Sequence, residues 1–251
     1  MSKRQPVFNL PGVIIVLLAV CVAVQLVRDS VSAETDAWII MAFGFIPVRF
    51  WRWWTSITYT FVHGDWVHLG LNGLWLAAFG SAVARRFGAI RFLALFLLSG
   101  IAGAAAFFVV HPFGLQPVVG ASAAISGAVA AAMRFAFEPG GPLGPGRSLA
   151  VTSDSAYYVP ALPLARVFRD GRALTFLLTW FGCNILFGAF ATPLGIGDAT
   201  VAWEAHIGGF LFGLLAFSLF DPTPDQSSAA EPVPELEAST SSQASGPRHV
   251  P

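Results

Sequence analysis

Four polar side chains lie in otherwise apolar stretches of this sequence, and their types suit nucleophilic chemistry. Ser122 lies in the small-residue stretch Gly120 to Gly127 (GASAAISG), and His206 lies in WEAHIGGFLFG. A serine and a histidine within hydrogen-bond reach form the minimal activated nucleophile, because the imidazole can accept the hydroxyl proton. His68 and Asn72 are four residues apart and therefore lie on one face of a helix. The chemistry requires helices that bring these residues to one place.

Each of these residues also has an ordinary structural explanation. A serine such as Ser122 commonly packs between membrane helices, and Asn72 could form hydrogen bonds between helices. His68 could lie among hydrated lipid headgroups, and His63 is expected there as well. His206 is harder to explain in this way, because ionisable residues inside membrane spans are rare and usually functional. The pattern therefore favours a functional site that includes His206.

The composition excludes an ordinary soluble protein. Of the 251 residues, 55% are hydrophobic and 11% are charged, and the mean hydropathy is +0.68. Soluble domains usually contain about 25% charged residues, so most of this chain does not face water. The net charge of zero gives no indication of nucleic-acid binding. The two cysteines, Cys21 and Cys183, lie in apolar runs and HExxH is absent, so we expect no disulfide framework, metal or cofactor.

Six apolar segments predict an all-α, polytopic membrane protein that is a bundle of six transmembrane helices. Residues 1–11 form a short N-terminal segment, and residues 12–220 form the membrane domain. The tail at residues 221–251 is rich in Pro, Ser, Ala and Glu and has no apolar periodicity, which predicts disorder. The predicted spans are residues 12–27, 63–83, 90–110, 120–137, 173–191 and 200–220.

Residues 30–62 and 138–172 do not form clean spans. The first segment mixes charges with many Trp and Phe residues, a composition typical of the membrane–water interface. We expect a partly embedded, non-spanning loop structure there, although an outer loop with an aromatic belt has the same composition. The second segment is rich in Gly and Pro, and connections of this length are usually functional or flexible. Val31-Ser32-Ala33 resembles a signal-peptidase site, so cleavage of the first helix is an alternative to a retained span.

The arginines orient these helices. Arg85, Arg86 and Arg91 follow the second span, and four more lie in the connection after the fourth span. The turns after the third and fifth spans contain none. Under the positive-inside rule both termini are then cytoplasmic. The second, fourth and sixth spans begin at the outer surface, which brings the four polar residues to one shallow depth.

Small residues on the sixth span predict its close approach to the fourth. Ala205, Gly209 and Gly213 recur every four residues and form one face of that helix. The fourth span is itself almost entirely Ala, Gly, Ser and Val, and small side chains let membrane helices pack closely. This contact would place His206 beside Ser122.

The ordered set of three motifs resembles the rhomboid family of intramembrane serine proteases. HxxxN (His68 to Asn72), GxS (Gly120 to Ser122) and AHxxG (Ala205 to Gly209) lie on alternate helices. The resemblance covers about Trp51 to Phe220, including the helix order and the aromatic first loop.

The resemblance implies a catalytic dyad, with Ser122 as the nucleophile and His206 as the general base. It also implies that His68, Asn72 and the backbone N–H of Ser122 hold the oxyanion, a role that suits a helix N-terminus. No third, acidic residue is needed, and Glu204 is expected to point elsewhere on its helix.

This sequence departs from the family pattern near the predicted nucleophile. The usual motif is GxSG, and Ala123 stands where the last glycine is expected. Its methyl group could crowd the neighbouring backbone or the substrate, although alanine is the next smallest residue. Ser126 stands where some members have an aromatic residue that packs on the catalytic histidine. The family's Trp-Arg pair corresponds either to Trp51-Arg52 or, by its spacing from His68, to Trp54-Thr55.

The resemblance implies an intramembrane serine endopeptidase that hydrolyses peptide bonds in or near transmembrane segments of other membrane proteins. Its partners would be transmembrane substrates and the lipid bilayer, without nucleic acid, metal or cofactor. The compact six-helix form suits a bacterial plasma membrane, with the site open to the outer face. The alternatives are an inactive relative that binds membrane proteins, which Ala123 supports, and a small transporter or channel. The clustering of polar residues at one depth, with no acidic residue in mid-span, argues against a transporter.

Overall fold

The computed structural model describes residues 10–145, 154–189 and 202–223, and this part of the chain is helical. Within it, extended pairing is limited to one bridge between Phe45 and Val118. The prediction of an all-α protein is therefore confirmed. The predicted N-terminal segment and disordered tail fall almost entirely outside the described residues.

Seven helices and several short helical turns make up the described chain. The helices are α1 (Gly12–Ser30), α2 (Ala33–Phe43), α3 (Trp66–Phe87), α4 (Ala89–Val110), α5 (Ser122–Met133), α6 (Gly171–Ala189) and α7 (Trp203–Phe220). Helix α3 contains a π-helical stretch at Leu76–Gly80. The short turns are Pro47–Arg49, Thr55–Thr58, Tyr59–Phe61, Asp154–Tyr158 and Leu164–Val167.

Helices α1, α3, α4 and α7 are long and apolar enough to cross a membrane. Helix α5 is apolar but has 12 residues, which span about 18 Å against a hydrocarbon core of about 30 Å. It ends at Met133 rather than near residue 137, because the chain then forms tight turns in which the Phe135 N–H donates to the Ala132 carbonyl at 3.1 Å. The protein is thus a polytopic helical bundle, and the count of six crossings stays a prediction.

Helix α5 forms the centre of the bundle because nearly all of its side chains are small. Every residue from Ala123 to Met133 is buried, and both α4 and α7 pack against this helix. A side chain added at Gly209 of α7 would collide with the backbone of Ala123, and one at Gly213 would collide with the backbone of Gly127. The small-residue face of α7 thus lies directly against α5, the helix that corresponds to the predicted fourth span.

The aromatic segment before α3 is more regular than the sequence analysis predicted. A loop structure was expected across residues 30–62, and this was wrong for Ala33–Phe43, which forms α2. Ser32 caps this helix by accepting from the Thr35 N–H at 3.3 Å, and two acidic residues in its first turn suit the positive end of the helix dipole. At 11 residues α2 is too short to cross a membrane. The tryptophans that follow at Trp51 and Trp53 are exposed, as an interfacial segment requires.

Helix α1 packs as an integral part of the bundle. Ile14 and Leu17 are buried in the main hydrophobic core, where they join Val83 of α3 and Phe92 of α4. Cleavage after the first helix would remove this packing. The contacts therefore favour a retained span over a signal peptide.

The described part of the connection between α5 and α6 is packed against the helices. The backbone N–H of Leu162 donates to the Arg134 carbonyl at 2.6 Å, and Nε of Arg134 donates back to the Leu162 carbonyl at 2.6 Å. The side chains of Leu162 and Val167 are buried in the main core. This segment therefore fixes the end of the bundle that lies away from Ser122.

A buried arginine ties three parts of the chain together at that end. Arg86 of α3 donates to the Asp221 carboxylate from Nε at 3.0 Å and from Nη2 at 2.7 Å. Its Nη1 donates to the carbonyls of Tyr157 and Val159 at 2.8 and 2.7 Å, and its guanidinium lies 4.7 Å from the ring centroid of Phe135. A buried charge is tolerated when it is paired and fully hydrogen-bonded, and Arg86 meets this condition.

Replacing Arg86 with glutamine should therefore be strongly destabilising. We expect a loss of about 3–5 kcal/mol in the free energy of unfolding, because the largely buried Asp221 carboxylate loses its cationic partner. Reversible unfolding in mixed micelles, followed by circular dichroism, measures this loss. Arg91→Gln removes an exposed arginine and should change the same quantity by no more than about 0.5 kcal/mol. Equal effects of the two substitutions would contradict the structural role of Arg86.

Candidate active site

Ser122 and His206 lie in direct contact. Nε2 of His206 lies 2.6 Å from Oγ of Ser122, which is a hydrogen-bond distance. Ser122 is the first residue of α5, and His206 lies in the first turn of α7. The histidine is buried, whereas Ser122 is partly exposed. The pair has the geometry of a hydroxyl beside a base that could accept its proton.

The backbone before Ser122 has a conformation that requires glycine. Gly120 has a φ of +115°, and its N–H donates to the Tyr59 carbonyl at 2.9 Å. The chain then enters α5, whose first N–H groups have no carbonyl one turn earlier in the helix to accept from them. One turn further on, Oγ of Ser126 donates to the Ser122 carbonyl at 2.8 Å. Ser126 thus secures the start of the helix, which is more specific than the packing role expected for it.

His68 and Asn72 converge on the same turn. A Cβ atom placed on Gly120 would lie 2.6 Å from Nε2 of His68 and 3.6 Å from Nδ2 of Asn72. These two nitrogens therefore face the backbone two residues before Ser122. Asn72 is buried, and its Nδ2 also donates to the His68 carbonyl at 3.1 Å. The structure thus brings together the four polar residues that the sequence analysis singled out.

The turn before α3 orients the imidazole of His68. The Gly64 N–H donates to Nδ1 of His68 at 3.3 Å, so the ring proton resides on Nε2, the nitrogen that faces Gly120. Asp65 caps α3 by accepting from the His68 N–H at 2.7 Å. The sequence analysis missed Gly64 and Asp65, although an aspartate just before an apolar periodic run is a recognised N-cap signal.

His63 occupies a different environment from the one expected. It was predicted to lie in the hydrated headgroup region, and this was wrong, because its side chain is 1% exposed and its ring packs 5.2 Å from the ring of His68. Among the described residues neither ring nitrogen of His63 has a hydrogen-bond partner. His63 therefore supports the imidazole of His68 by packing.

Glu204 points away from the site, as expected. Its Oε1 lies 2.9 Å from Nε2 of His111, at the end of α4. The contact joins the start of α7 to α4 two residues before His206. Glu204 therefore contributes to the placement of α7 and not to the orientation of the imidazole.

The methyl group of Ala123 has space where it lies. Ala123 is 1% exposed, and a Cβ atom placed on Gly103 of α4 would come within 2.6 Å of the Ala123 methyl carbon. Because Gly103 has no side chain, there is room for the Ala123 methyl group at this point of the contact between α4 and α5. The methyl group packs between α5 and α4, and Oγ of Ser122 contacts α7.

Substituting Ala123 with glycine should therefore change activity little. We expect a rate within about threefold of the wild type and a stability loss of about 1–2 kcal/mol from the lost methyl contact and the more flexible backbone. Ala124→Gly, at the next buried position of α5, is the matched control for the backbone effect. A tenfold or greater rise in kcat for Ala123→Gly alone would show that the methyl group obstructs the substrate.

Comparison with known proteins identifies relatives over most of the described chain. A family model described as the Rhomboid domain matches residues 50–221. The chain is 40% identical over 85 residues to the rhomboid protease GluP of Bacillus subtilis, covering 34% of this chain and 16% of that protein. It is 31% identical over 108 residues to the rhomboid protease GlpG of Haemophilus influenzae, covering 42% and 56% of the two chains. It is 24% identical over 193 residues to GlpG of an Enterobacter species, covering 74% and 60%. The matches thus span less than two thirds of each relative's length.

Proposed function

Because the chain belongs to the rhomboid family, we propose that it is an intramembrane serine endopeptidase that uses a dyad of Ser122 and His206. The observation that carries this proposal is the 2.6 Å contact between Oγ of Ser122 and Nε2 of His206. Relatives named as rhomboid proteases support a proteolytic activity. The bilayer is the natural environment of the protein, given its four long apolar helices.

The proposed first half-reaction forms an acyl-enzyme. Oγ of Ser122 attacks the carbonyl carbon of the scissile peptide bond while Nε2 of His206 accepts its proton. The carbonyl oxygen becomes an oxyanion, which accepts hydrogen bonds from Nε2–H of His68, Nδ2–H of Asn72 and the backbone N–H of Ser122. The tetrahedral intermediate collapses, the C–N bond breaks, and His206 gives the proton to the leaving amine.

In the second half-reaction water replaces the amine. His206 accepts a proton from the water as its oxygen attacks the ester carbon, and the C–O bond to Ser122 then breaks. The proton returns to Oγ of Ser122, so the enzyme is regenerated and one peptide bond has been hydrolysed. The partial exposure of Ser122 supports access of water to this atom.

The proposed substrates are membrane proteins whose transmembrane segments contain a locally weakened helix. A regular helix hydrogen-bonds the carbonyl that Ser122 must attack, and small or helix-breaking residues near the cleaved bond release it. Substrates should therefore carry such residues within or beside the membrane segment.

The proposed orientation places the site near the outer face of a bacterial plasma membrane, with both termini cytoplasmic. The arginines that follow the second and fourth predicted spans support it, because basic loops stay in the cytoplasm. His68, Ser122 and His206 all lie near the N-terminal ends of their helices. We retain the six-span membrane domain at residues 12–220 and the cytoplasmic tail at 221–251 as part of this proposal.

Purified full-length protein, reconstituted with a tagged reporter that contains one transmembrane segment, tests the function. We expect cleavage at one or a few bonds in or next to that segment, with the new termini mapped by mass spectrometry. A matched reporter whose small residues are replaced by leucine should be cleaved more slowly. Stable binding of both reporters without cleavage would instead support an inactive, membrane-protein-binding relative.

A further inference from the structure

The C-terminal end of α1 contacts the turn that leads into α3. We call residues His63 to Trp66 the site turn. Arg28 of α1 is buried, and its Nη1 donates to the carbonyl of His63 at the first residue of this turn. Asp29 accepts from Nε1 of Trp66, at the last residue of the turn, at 2.6 Å. Two neighbouring residues of α1 therefore hold both ends of the site turn, and both precede the family-matched region 50–221.

The middle of the site turn holds His68. The Gly64 N–H contacts Nδ1 of the imidazole, and the Asp65 carboxylate accepts the backbone N–H of His68. A shift of the turn would therefore move both groups that fix the ring and the proton on Nε2. The chain of contacts runs from α1 through the turn to the donor that faces Gly120.

Arg28 is itself held rigidly. Its Nε donates to Oδ1 of Asp36 in α2 at 2.6 Å, and its Nη2 donates to Oδ2 of the same carboxylate at 3.2 Å. Its Nη1 also donates to Oε1 of Gln25 at 3.2 Å. A bidentate carboxylate pair fixes the plane of a guanidinium, so the remaining donor is directed at the His63 carbonyl. The bond is charge-assisted and removed from water, which makes it stronger than an exposed one.

We propose that Arg28 and Asp29 are positioning residues for His68, holding the site turn so that Nε2–H of His68 stays directed at the oxyanion position. This inference rests on the proposed function for its kinetic consequence. Neither residue touches the dyad, so their loss should weaken transition-state stabilisation and leave Oγ of Ser122 and Nε2 of His206 in contact. We therefore expect a lower kcat and an unchanged KM, because the contacts with the substrate are unchanged.

Nitrogen NMR of the full chain in micelles, labelled with ¹⁵N-histidine, tests the positioning directly and without a substrate. His68→Gln identifies the signals of His68. We expect widely separated Nδ1 and Nε2 shifts in the wild type, as for one tautomer, and convergence of the two shifts in Arg28→Gln. Arg86→Gln, which removes another buried arginine far from the turn, should leave the His68 shifts unchanged and so controls for general destabilisation. Wild-type shifts in a folded Arg28→Gln variant would overturn the proposal.

A second pair of variants keeps the test decisive if Arg28→Gln does not fold. Asp29→Ala and Trp66→Phe alter exposed side chains and should preserve the fold. Each removes the contact at the far end of the site turn, so partial convergence of the His68 shifts is expected in both. Unchanged shifts in both would contradict the part assigned to Asp29.

Kinetics of the same variants link the positioning to the reaction. We expect Arg28→Gln to lower kcat by about 10- to 100-fold with KM within about twofold, and Arg28→Lys, which keeps a cationic donor, to recover part of the loss. Unchanged kcat in Arg28→Gln, alongside an active wild type, would overturn the inference alone. A wild type that cleaves nothing would overturn the proposed function, and the NMR result would then decide the positioning by itself.

Discussion

Alanine at Ser122 or at His206 should lower kcat/KM for a transmembrane reporter by about 10⁴-fold or more. The first substitution removes the attacking oxygen, and the second removes the base that lies 2.6 Å from it. Residues that act as one unit are not additive, so the double variant should be no slower than the worse single variant. Single-turnover cleavage in detergent, followed by gel analysis of the reporter, measures all three rates.

Ser126→Ala is the matched control for the serine substitution. Ser126 lies on the same helix one turn from Ser122, and its hydroxyl donates to a backbone carbonyl. Its loss should lower the rate by no more than about tenfold, the order expected for one neutral hydrogen bond. Cleavage that persists within tenfold of the wild type in either Ser122→Ala or His206→Ala would contradict the dyad.

A single methyl group at Gly209 should nearly abolish activity although Ser122 and His206 are both retained. The added Cβ atom would collide with the backbone carbonyl of Ala123, and backbone atoms cannot rotate away as a flexible side chain does. Helix α7 must then move outward from α5 and carry His206 with it. A displacement of about 1 Å at reacting groups costs on the order of 100-fold in rate, so Gly209→Ala should lose at least that much.

Gly182→Ala supplies a matched control on α6. It introduces the same methyl group within a helix, and no atom lies within 4 Å of the position that the new Cβ would take. We expect an unchanged rate and a gain of up to about 1 kcal/mol in stability, because alanine favours a helix more than glycine does. Cleavage rates and thermal melting of both variants measure these effects. If the Gly209→Ala variant cleaves the reporter as fast as the Gly182→Ala variant, the close packing of α5 and α7 is not needed for activity.

The sequence predicted which polar residues lie close together, because these residues are tied to local patterns. His68 and Asn72 share a helix face by their spacing, and the recurrence of small residues at Gly209 and Gly213 predicts a helix contact. The orientation proposed from the positive-inside rule would then bring the beginnings of alternate helices to one depth. These rules act over one helix or one loop, so they can be read without knowledge of the packing.

Features that depend on distant partners were not predictable in this way. In the sequence analysis Arg86 served only to indicate which side of the membrane its loop lies on. In the structure it is buried against Asp221, 135 residues later in the chain. His63 was placed among headgroups because a histidine near a span end is usually hydrated, whereas here the end of α1 covers it. No local sequence pattern predicts that Arg28 donates a hydrogen bond to the carbonyl of His63, which lies 35 positions later in the chain.

Helix α2 was missed for a different reason. Its acidic residues and tryptophan were interpreted as interfacial composition, although Ser32 followed by Glu34 and Asp36 also fits a helix start. Interfacial composition and a capped helix are compatible, so the composition alone did not exclude either structure. The early end of α5 has a related cause, because the end of an Ala-rich run depends on where the following turns form their hydrogen bonds.

Covalent labelling of the purified full-length protein with a fluorophosphonate, mapped by mass spectrometry, tests the central claim most directly. The reagent captures a serine whose hydroxyl is activated by an adjacent base. We predict one phosphonylated residue, Ser122, in the wild type, and labelling slowed by at least about 10³-fold in His206→Ala. Modification of a different serine, or equal labelling of Ser122 with and without His206, would contradict the account.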